Sequence, residues 1–165
     1  MGHSEGTTQL FIGMSLMPDY FREKLNLFVA LAPPTRISNT QSTLLKLIAA
    51  DVKTVEYVAV DLLGLYNMFP PNWLIDDLVG EFCSILTPIC AAALELFADL
   101  DASVDNLDRM KTYMSHVPSG ASYRNFVHYA QIMNSDRFQR YDWGRQVNMQ
   151  LYGNPVPPNY PMDKI

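Results

Sequence analysis

The first 34 residues contain two apolar runs, each ended by proline. Gly6 to Met17 is almost wholly apolar and stops at Pro18, which is typical of a helix buried against a sheet. Leu25 to Leu31 is a second apolar run, stopped by Pro33 and Pro34, and indicates a buried strand. The order of turn, helix and strand is the second half of a βαβ unit whose first strand is missing.

Beyond Pro34 the pattern predicts helices and loops and no strand. We predict helices over the following segments, with an interruption at Pro88 in the second: Thr43 to Leu65, Trp73 to Phe97, Asp105 to His116, and Ser122 to Asn134. Pro70 and Pro71 break the chain between the first two, and Asp105 and Ser122 are expected to cap the last two. The tail from Tyr141 is rich in Pro, Gly, Asn and Tyr and is predicted to be extended loop. A helical insertion after a strand is one way to build a cap over a site.

Composition narrows the class of protein. The chain has 165 residues, of which 48% are hydrophobic and 18% charged, so we expect a globular domain with a real core. The net charge of −5 and the lack of a basic cluster argue against a nucleic-acid-binding protein. No signal peptide is recognised, and no apolar run reaches the roughly 20 residues of a spanning helix. No cofactor is predicted.

Cys83 and Cys90 are the two cysteines, and the sequence leaves two interpretations open. They are two buried thiols, or they form a disulfide. On a continuous helix their Cα atoms would lie about 10 Å apart, too far for a disulfide. Pro88 lies between them, and a bend there could bring the sulfurs together. The spacing does not suit a zinc site.

Residues 2 to 6, Gly-His-Ser-Glu-Gly, fit the G-x-S-x-G pattern of a nucleophile elbow. In such an elbow the serine occupies a strained turn between a strand and a helix, and neighbouring chain crowds both flanking glycines. Ser4 is therefore the candidate nucleophile, and the backbone N–H of Glu5 is a candidate oxyanion donor. The alternative is an ordinary glycine-flanked turn near the chain terminus.

A serine nucleophile needs a base, and the base needs an orienting acid. His3 lies inside the elbow and is expected to point away from the serine. His116 is interpreted as a capping or hydrogen-bonding residue. His128 belongs to a polar stripe with Asn125 and Gln131, which we interpret as buried and hydrogen-bonded rather than catalytic. Asp142 would suit a triad acid, but no histidine follows it, as the chain order of this fold requires.

Several segments together resemble the acid lipase family, which includes gastric lipase and lysosomal acid lipase. The matching segments are Gly2-His3-Ser4-x-Gly6-Thr7-Thr8; Phe28-x-Ala30-Leu31-Ala32-Pro33; Ser115-His116-x-Pro118-x-Gly120-x-Ser122; Asn125-x-x-His128-x-x-Gln131; Phe138-x-x-Tyr141-Asp142-Trp143-Gly144; Asn148; Tyr152; and Pro157-Pro158-x-Tyr160. Residues 36 to 80 match poorly. Glu5 stands where the family usually has Gln, and an ionised carboxylate there would oppose an oxyanion, so we expect reduced or pH-shifted activity.

The resemblance implies an α/β-hydrolase fragment with a mostly helical cap. Residues 1–34 would belong to the hydrolase core, 35–140 to the cap, and 141–165 to a return segment. The triad acid and base would follow Ile165, so the chain is expected to be the middle of a lipase and inactive alone. The resemblance also implies a cap disulfide between Cys83 and Cys90 and a secreted or lysosomal location.

The implied activity is hydrolysis of neutral lipid esters, such as triacylglycerol or steryl ester, at a lipid–water interface. Two alternatives remain: another esterase or a peptidase of the same fold, and a non-catalytic truncated product or lipid-binding cap module. The preferred lipid and the oligomeric state do not follow from the sequence.

Overall fold

The computed structural model describes residues 1–68, 72–97, 106–117 and 119–165. Pro70, Pro71 and Pro118, and the cap predicted at Asp105, lie outside the described residues. The chain divides into two compact units. Unit 1 consists of Met1–Asn39 and Gln131–Ile165, and unit 2 of Thr40–Ala130, so the second unit is an insertion into the first. The domain limits expected from the sequence, 1–34, 35–140 and 141–165, remain a prediction.

Unit 1 begins with a short βαβ arrangement. Strand β1 (Gly2–His3) pairs in parallel with β2 (Ala30–Leu31), with Gly2 opposite Ala30 and His3 opposite Leu31. Helix α1 (Glu5–Leu16) lies within one residue of the predicted helix, and α2 (Pro18–Lys24) follows it. Pro18 ends the first helix and opens the second because proline fits the first turn of a helix but not its interior. The structure corrects two expectations: part of the first strand is present, and the second strand is shorter than Leu25 to Leu31.

The second segment of unit 1 contains a helix where the sequence predicted extended loop. Helix α9 (Arg145–Tyr152) starts after Gly144, at φ 85°, and ends at Gly153, at φ 69°. Both glycines adopt the left-handed region that glycine tolerates, so they mark the ends of this helix rather than a continuous loop. Gln139, before this helix in the chain, and Asn159, after it, form an isolated antiparallel bridge.

Unit 2 begins with helices that are shorter than predicted. The expected helix from Thr43 to Leu65 is divided into α3 (Thr43–Ala50), α4 (Val52–Glu56) and a π-helical segment, Tyr57–Leu62. Asp51 divides the first two because its carboxylate accepts a hydrogen bond from the N–H of Thr54 and caps the new helix. Two further strands contradict the expectation of none: β3 (Asn67–Met68) pairs antiparallel with β4 (Ala121–Ser122).

Helices α5 (Trp73–Ile85) and α6 (Thr87–Phe97) are separated at Leu86, not at Pro88. Pro88 lies in the first turn of α6 and has no N–H to offer the carbonyl of Ser84. The Thr87 hydroxyl compensates, donating to the carbonyl of Cys83 at 3.0 Å and to that of Ser84 at 3.4 Å. The two helices are bent by 108°. Within the described part of the chain, no single helix is long and apolar enough to cross a membrane; this bent pair meets that test by length and composition alone.

The core of unit 2 forms around this bend. Cys83 and Cys90 are joined by a disulfide, with Cα atoms 5.6 Å apart, and both are buried together with Ala91 and Met110. Met110 opens α7 (Met110–Met114), which follows a 3₁₀ turn at Leu107–Arg109; the helix predicted from Asp105 is therefore shorter.

A Cβ on Gly80 would lie 3.0 Å from the Ser115 Cβ, so glycine permits close packing of α5 beside α7. Helix α8 (Tyr123–Ser135) completes the fold, and Ser122 caps it as predicted, accepting the N–H of Arg124 at 3.3 Å.

Candidate functional site

Ser4 lies between strand β1 and helix α1 in a strained backbone conformation. Its φ of 48° and ψ of −122° are sparsely populated by residues other than glycine. Two backbone hydrogen bonds, one from the N–H of Ser4 and one to its carbonyl, stabilise this strained conformation. The Ser4 N–H donates to the carbonyl of Leu31 at 3.0 Å, which fixes Ser4 to the neighbouring strand. Its carbonyl accepts the Thr7 N–H at 2.9 Å. Ser4 is exposed.

Thr7 is a supporting residue that sequence reasoning did not single out for this role. It is fully buried, and its Oγ1 donates to the carbonyl of Ser4 at 2.6 Å. The signal in the sequence is a threonine three residues after the serine, within the first turn of the helix, where such a hydroxyl reaches back to the backbone. Thr7 therefore binds the carbonyl of the strained residue through both its backbone and its side chain.

The two elbow glycines differ in their surroundings. A Cβ on Gly2 would lie 3.1 Å from the backbone C and O of Gly6 and from the N of Thr7, none of which can rotate away. The close approach of α1 thus favours glycine at position 2, as expected. At Gly6, the described part of the chain places no atom within 4 Å of an added Cβ, so it does not produce the crowding expected there.

Glu5 is the first residue of α1, so its backbone N–H lies at the positive end of the helix dipole, beside Ser4. Its carboxylate Oε1 accepts a hydrogen bond from Nε2 of Gln9 at 3.2 Å, one turn along the helix. This contact draws the carboxylate toward Gln9. His3, the other neighbour of Ser4, lies in β1 and is exposed.

His116 and His128 belong to unit 2, not to the unit that contains Ser4. Nδ1 of His116 lies 2.9 Å from the carbonyl of Thr112 and 2.9 Å from Oγ of Ser115, which agrees with the hydrogen-bonding role predicted for it. His128 is half-buried on α8 within its polar stripe.

The last member of that stripe, Gln131, has a clear structural partner. Its amide nitrogen donates to the carbonyl of Asp142 at 3.0 Å, and its amide oxygen accepts the Asp142 N–H at 2.8 Å. This pair of hydrogen bonds fixes the backbone of the return segment against α8, so Gln131 is hydrogen-bonded as expected, although it is half-buried rather than buried.

Asp142 is engaged in a hydrogen-bond network in unit 1. Its Oδ1 accepts Nδ2 of Asn148 at 2.7 Å and the N–H of Gly144 at 2.9 Å. Asn148 is fully buried and also binds the N–H of Trp143 and the carbonyl of Pro155, at 3.0 Å each. These contacts give Asp142 a structural role in shaping the turn before α9.

No group of three or more His, Cys, Asp or Glu side chains that could hold a metal ion is found within residues 1–68, 72–97, 106–117 and 119–165. A cavity of about 180 Å³ opens beside α1 and α2. It is lined by Met14, Pro18, Phe21, Arg22, Leu25, Lys164 and Ile165. Because none of these residues belongs to the elbow, this cavity is not a substrate site at Ser4.

The sequence is similar to lipases along its whole length. It is 35% identical to gastric triacylglycerol lipase of Rattus norvegicus, covering 97% of this chain and 40% of the relative. It is 34% identical to lipase member K of Homo sapiens, covering 100% and 41%. It is 30% identical to a protein of Crotalus adamanteus named as a putative lysosomal acid lipase/cholesteryl ester hydrolase, covering 100% and 41%.

The chain thus spans about two fifths of the length of these curated relatives. No family model matches it. The lipase relatives imply an α/β-hydrolase fold. This similarity, which extends over the whole sequence, supports the assignment of the chain to the acid lipase family.

Proposed function

We propose that this chain carries the nucleophile of a serine lipase or esterase that hydrolyses neutral lipid esters. The supporting observation is Ser4: an exposed serine in a strained strand-to-helix turn, in a chain similar to lipases throughout. Its Oγ would attack the ester carbonyl carbon and form a tetrahedral intermediate, and the hydroxyl proton would pass to a general base. The backbone N–H of Glu5 would donate to the oxyanion.

The general base and its acid are not assigned to residues of this chain. His116 is hydrogen-bonded within unit 2 through Nδ1, and Asp142 is bonded to Asn148 and Gly144. We therefore propose that the 165-residue chain alone has no turnover and that the partners are supplied by a longer protein. The similarity to gastric and lysosomal lipases supports a secreted or lysosomal location, where a disulfide such as Cys83–Cys90 persists.

The proposed substrate is a neutral ester, such as a triacylglycerol or steryl ester, presented at a lipid–water interface. Exposed apolar side chains on α5 support this choice, because they offer a surface that lipid can cover. They include Ile75, Leu78 and Ile85, which are 54%, 60% and 78% exposed. The proposed cap comprises residues 35–140 and would carry this surface.

The experiment compares two variants of the full-length protein, Ser4→Ala and Ser119→Ala. Each is labelled with a fluorophosphonate and assayed for ester hydrolysis. Ser119 is an exposed serine of unit 2 whose hydroxyl bonds to the His116 carbonyl, so it is a matched control. Ser4→Ala should lose fluorophosphonate labelling and lower kcat at least about a thousandfold, whereas Ser119→Ala should change neither. Full activity in Ser4→Ala would refute the proposal.

A series of esters of increasing acyl length separates a lipase from a short-chain esterase of the same fold. We expect kcat/KM to rise with acyl length and a peptide substrate not to be cleaved. A Ser4-dependent rate in the 165-residue chain alone would contradict its proposed inactivity. It would then point to His116 or His128 as the base.

A further inference from the structure

Three side chains connect the segment that leads into unit 2 with the segment that returns from it. Nη2 of Arg36 donates to Oδ2 of Asp136 at 2.6 Å, and Oγ of Ser38 donates to Oδ1 at 2.5 Å. Both carboxylate oxygens are therefore bonded, across a sequence separation of about 100 residues. We call residues 36–39 and 131–136 the neck, because the chain leaves unit 1 after Asn39 and re-enters it at Gln131.

The backbone of Asp136 places its carboxylate at this point. Helix α8 ends at Ser135, and Asp136 follows in the left-handed region, with φ 51°. Glycine is the usual residue at this position after a helix, and aspartate tolerates it better than most others. At positive φ, aspartate is less favourable than glycine. Asp136 nevertheless occupies this position, from which its carboxylate reaches Arg36 and Ser38.

We propose that Arg36, Ser38 and Asp136 form a clasp that holds the two segments of the neck together. The clasp fixes the start and end of the 40–130 insertion to each other within unit 1. It also protects the last turn of α8, because Asp136 cannot move away without breaking both contacts. With the clasp formed, the two segments of the neck should separate less often than they would without these contacts. This inference does not depend on the proposed ester hydrolysis.

The contacts of the clasp are exposed, so its effect is a local one. The side chains of Arg36 and Asp136 are 69% and 49% exposed. Exposed pairs change local equilibria only about two- to fivefold, and the Ser38 hydrogen bond places this one at the upper end of that range. The appropriate measurement is therefore local opening at the neck rather than global unfolding.

The test is hydrogen–deuterium exchange of the full-length protein, read in peptides covering residues 33–42 and 130–138. Asp136→Asn removes the charge and keeps a side chain that tolerates positive φ. We expect exchange in both peptides to rise about three- to fivefold. Arg36→Gln leaves the Ser38 hydrogen bond in place and should give a smaller rise, and the double variant should give no more than Asp136→Asn alone, because both single variants remove the same ion pair.

Asp19→Asn is the matched control. Asp19 forms an exposed ion pair with Arg22 at 2.8 Å, three residues away within α2, so the same substitution breaks a pair that closes no neck. It should leave both neck peptides unchanged. The proposal is overturned if Asp136→Asn leaves exchange at the neck unchanged, if the effects of Arg36→Gln and Asp136→Asn add, or if only the peptide covering residue 136 responds.

Discussion

Opening the Cys83–Cys90 disulfide should destabilise unit 2 mainly through the unfolded state. The cysteines are seven residues apart, so the bond closes a loop of about eight residues. The loop-closure model then gives a loss of about 2.5 kcal/mol in the free energy of unfolding on reduction. The bend itself should survive in the folded protein, because Pro88 and the Thr87 hydroxyl remain to separate α5 from α6.

The assay is urea denaturation of the full-length protein, oxidised and reduced, followed by circular dichroism. Comparing two redox states avoids changing the buried side chains, which substitution to Ser would do by placing hydroxyls in an apolar core. Thr87→Val in the oxidised protein is a control that loosens the bend but keeps the loop closed. Equal stability of the two redox states would refute the argument. A loss beyond about 5 kcal/mol would also refute it, because the disulfide would then be maintaining the folded bend itself.

Three further predictions concern unit 1. Asn148→Leu should cost about 3–5 kcal/mol in urea denaturation, because it removes three hydrogen bonds from a fully buried site; the exposed Gln150→Leu should change stability by less than about 0.5 kcal/mol. Gly2→Ala should cost about 1–3 kcal/mol and slow labelling of Ser4, since its Cβ would crowd backbone atoms at 3.1 Å. The hydrogen bonds from Arg36 and Ser38 lower the pKa of Asp136 in the folded protein, so the clasp should persist above the ordinary aspartate pKa and be lost as pH falls through the lowered value. An NMR titration of the Asp136 carboxyl should show this pKa rise in Arg36→Gln; an unchanged value would contradict the assigned cause.

The helices could be predicted where their limits are set by nearby residues. Pro18 ends α1, and Ser122 caps α8, because each acts on backbone groups within one turn. The break between α5 and α6 lies at Leu86, two residues before the predicted position at Pro88, and a local effect explains this difference too. Proline is accepted in a first turn, so the interruption precedes Pro88. Helix α9 was missed because the composition of its flanks, with Gly144 and Gly153, outweighed the helical residues between them.

Contacts made outside a residue's own helix or turn could not be predicted in this way. Asp136 has no local feature that pairs it with Arg36, since about 100 residues separate them and only the folded insertion brings them together. Asn148 has nearer partners, but they lie in the segments before and after α9, so the helical pattern of α9 alone does not predict a buried amide. The partners of these polar groups therefore depend on how the chain folds back on itself, which hydrophobic periodicity does not encode.

The strained turn at Ser4 could be predicted from the motif because its conformation is almost entirely a local property. Gly2 allows the backbone of Gly6 to approach, Thr7 binds the carbonyl of Ser4, and only the hydrogen bond to Leu31 comes from a distant segment. A nucleophile must be held in one strained geometry, and short-range contacts do so at little entropic cost. A base and its orienting acid need no such strain and can approach from any part of a chain, as the different triad orders of unrelated hydrolases illustrate. A sequence motif therefore predicts a candidate nucleophile far more sharply than it predicts the partners of that nucleophile.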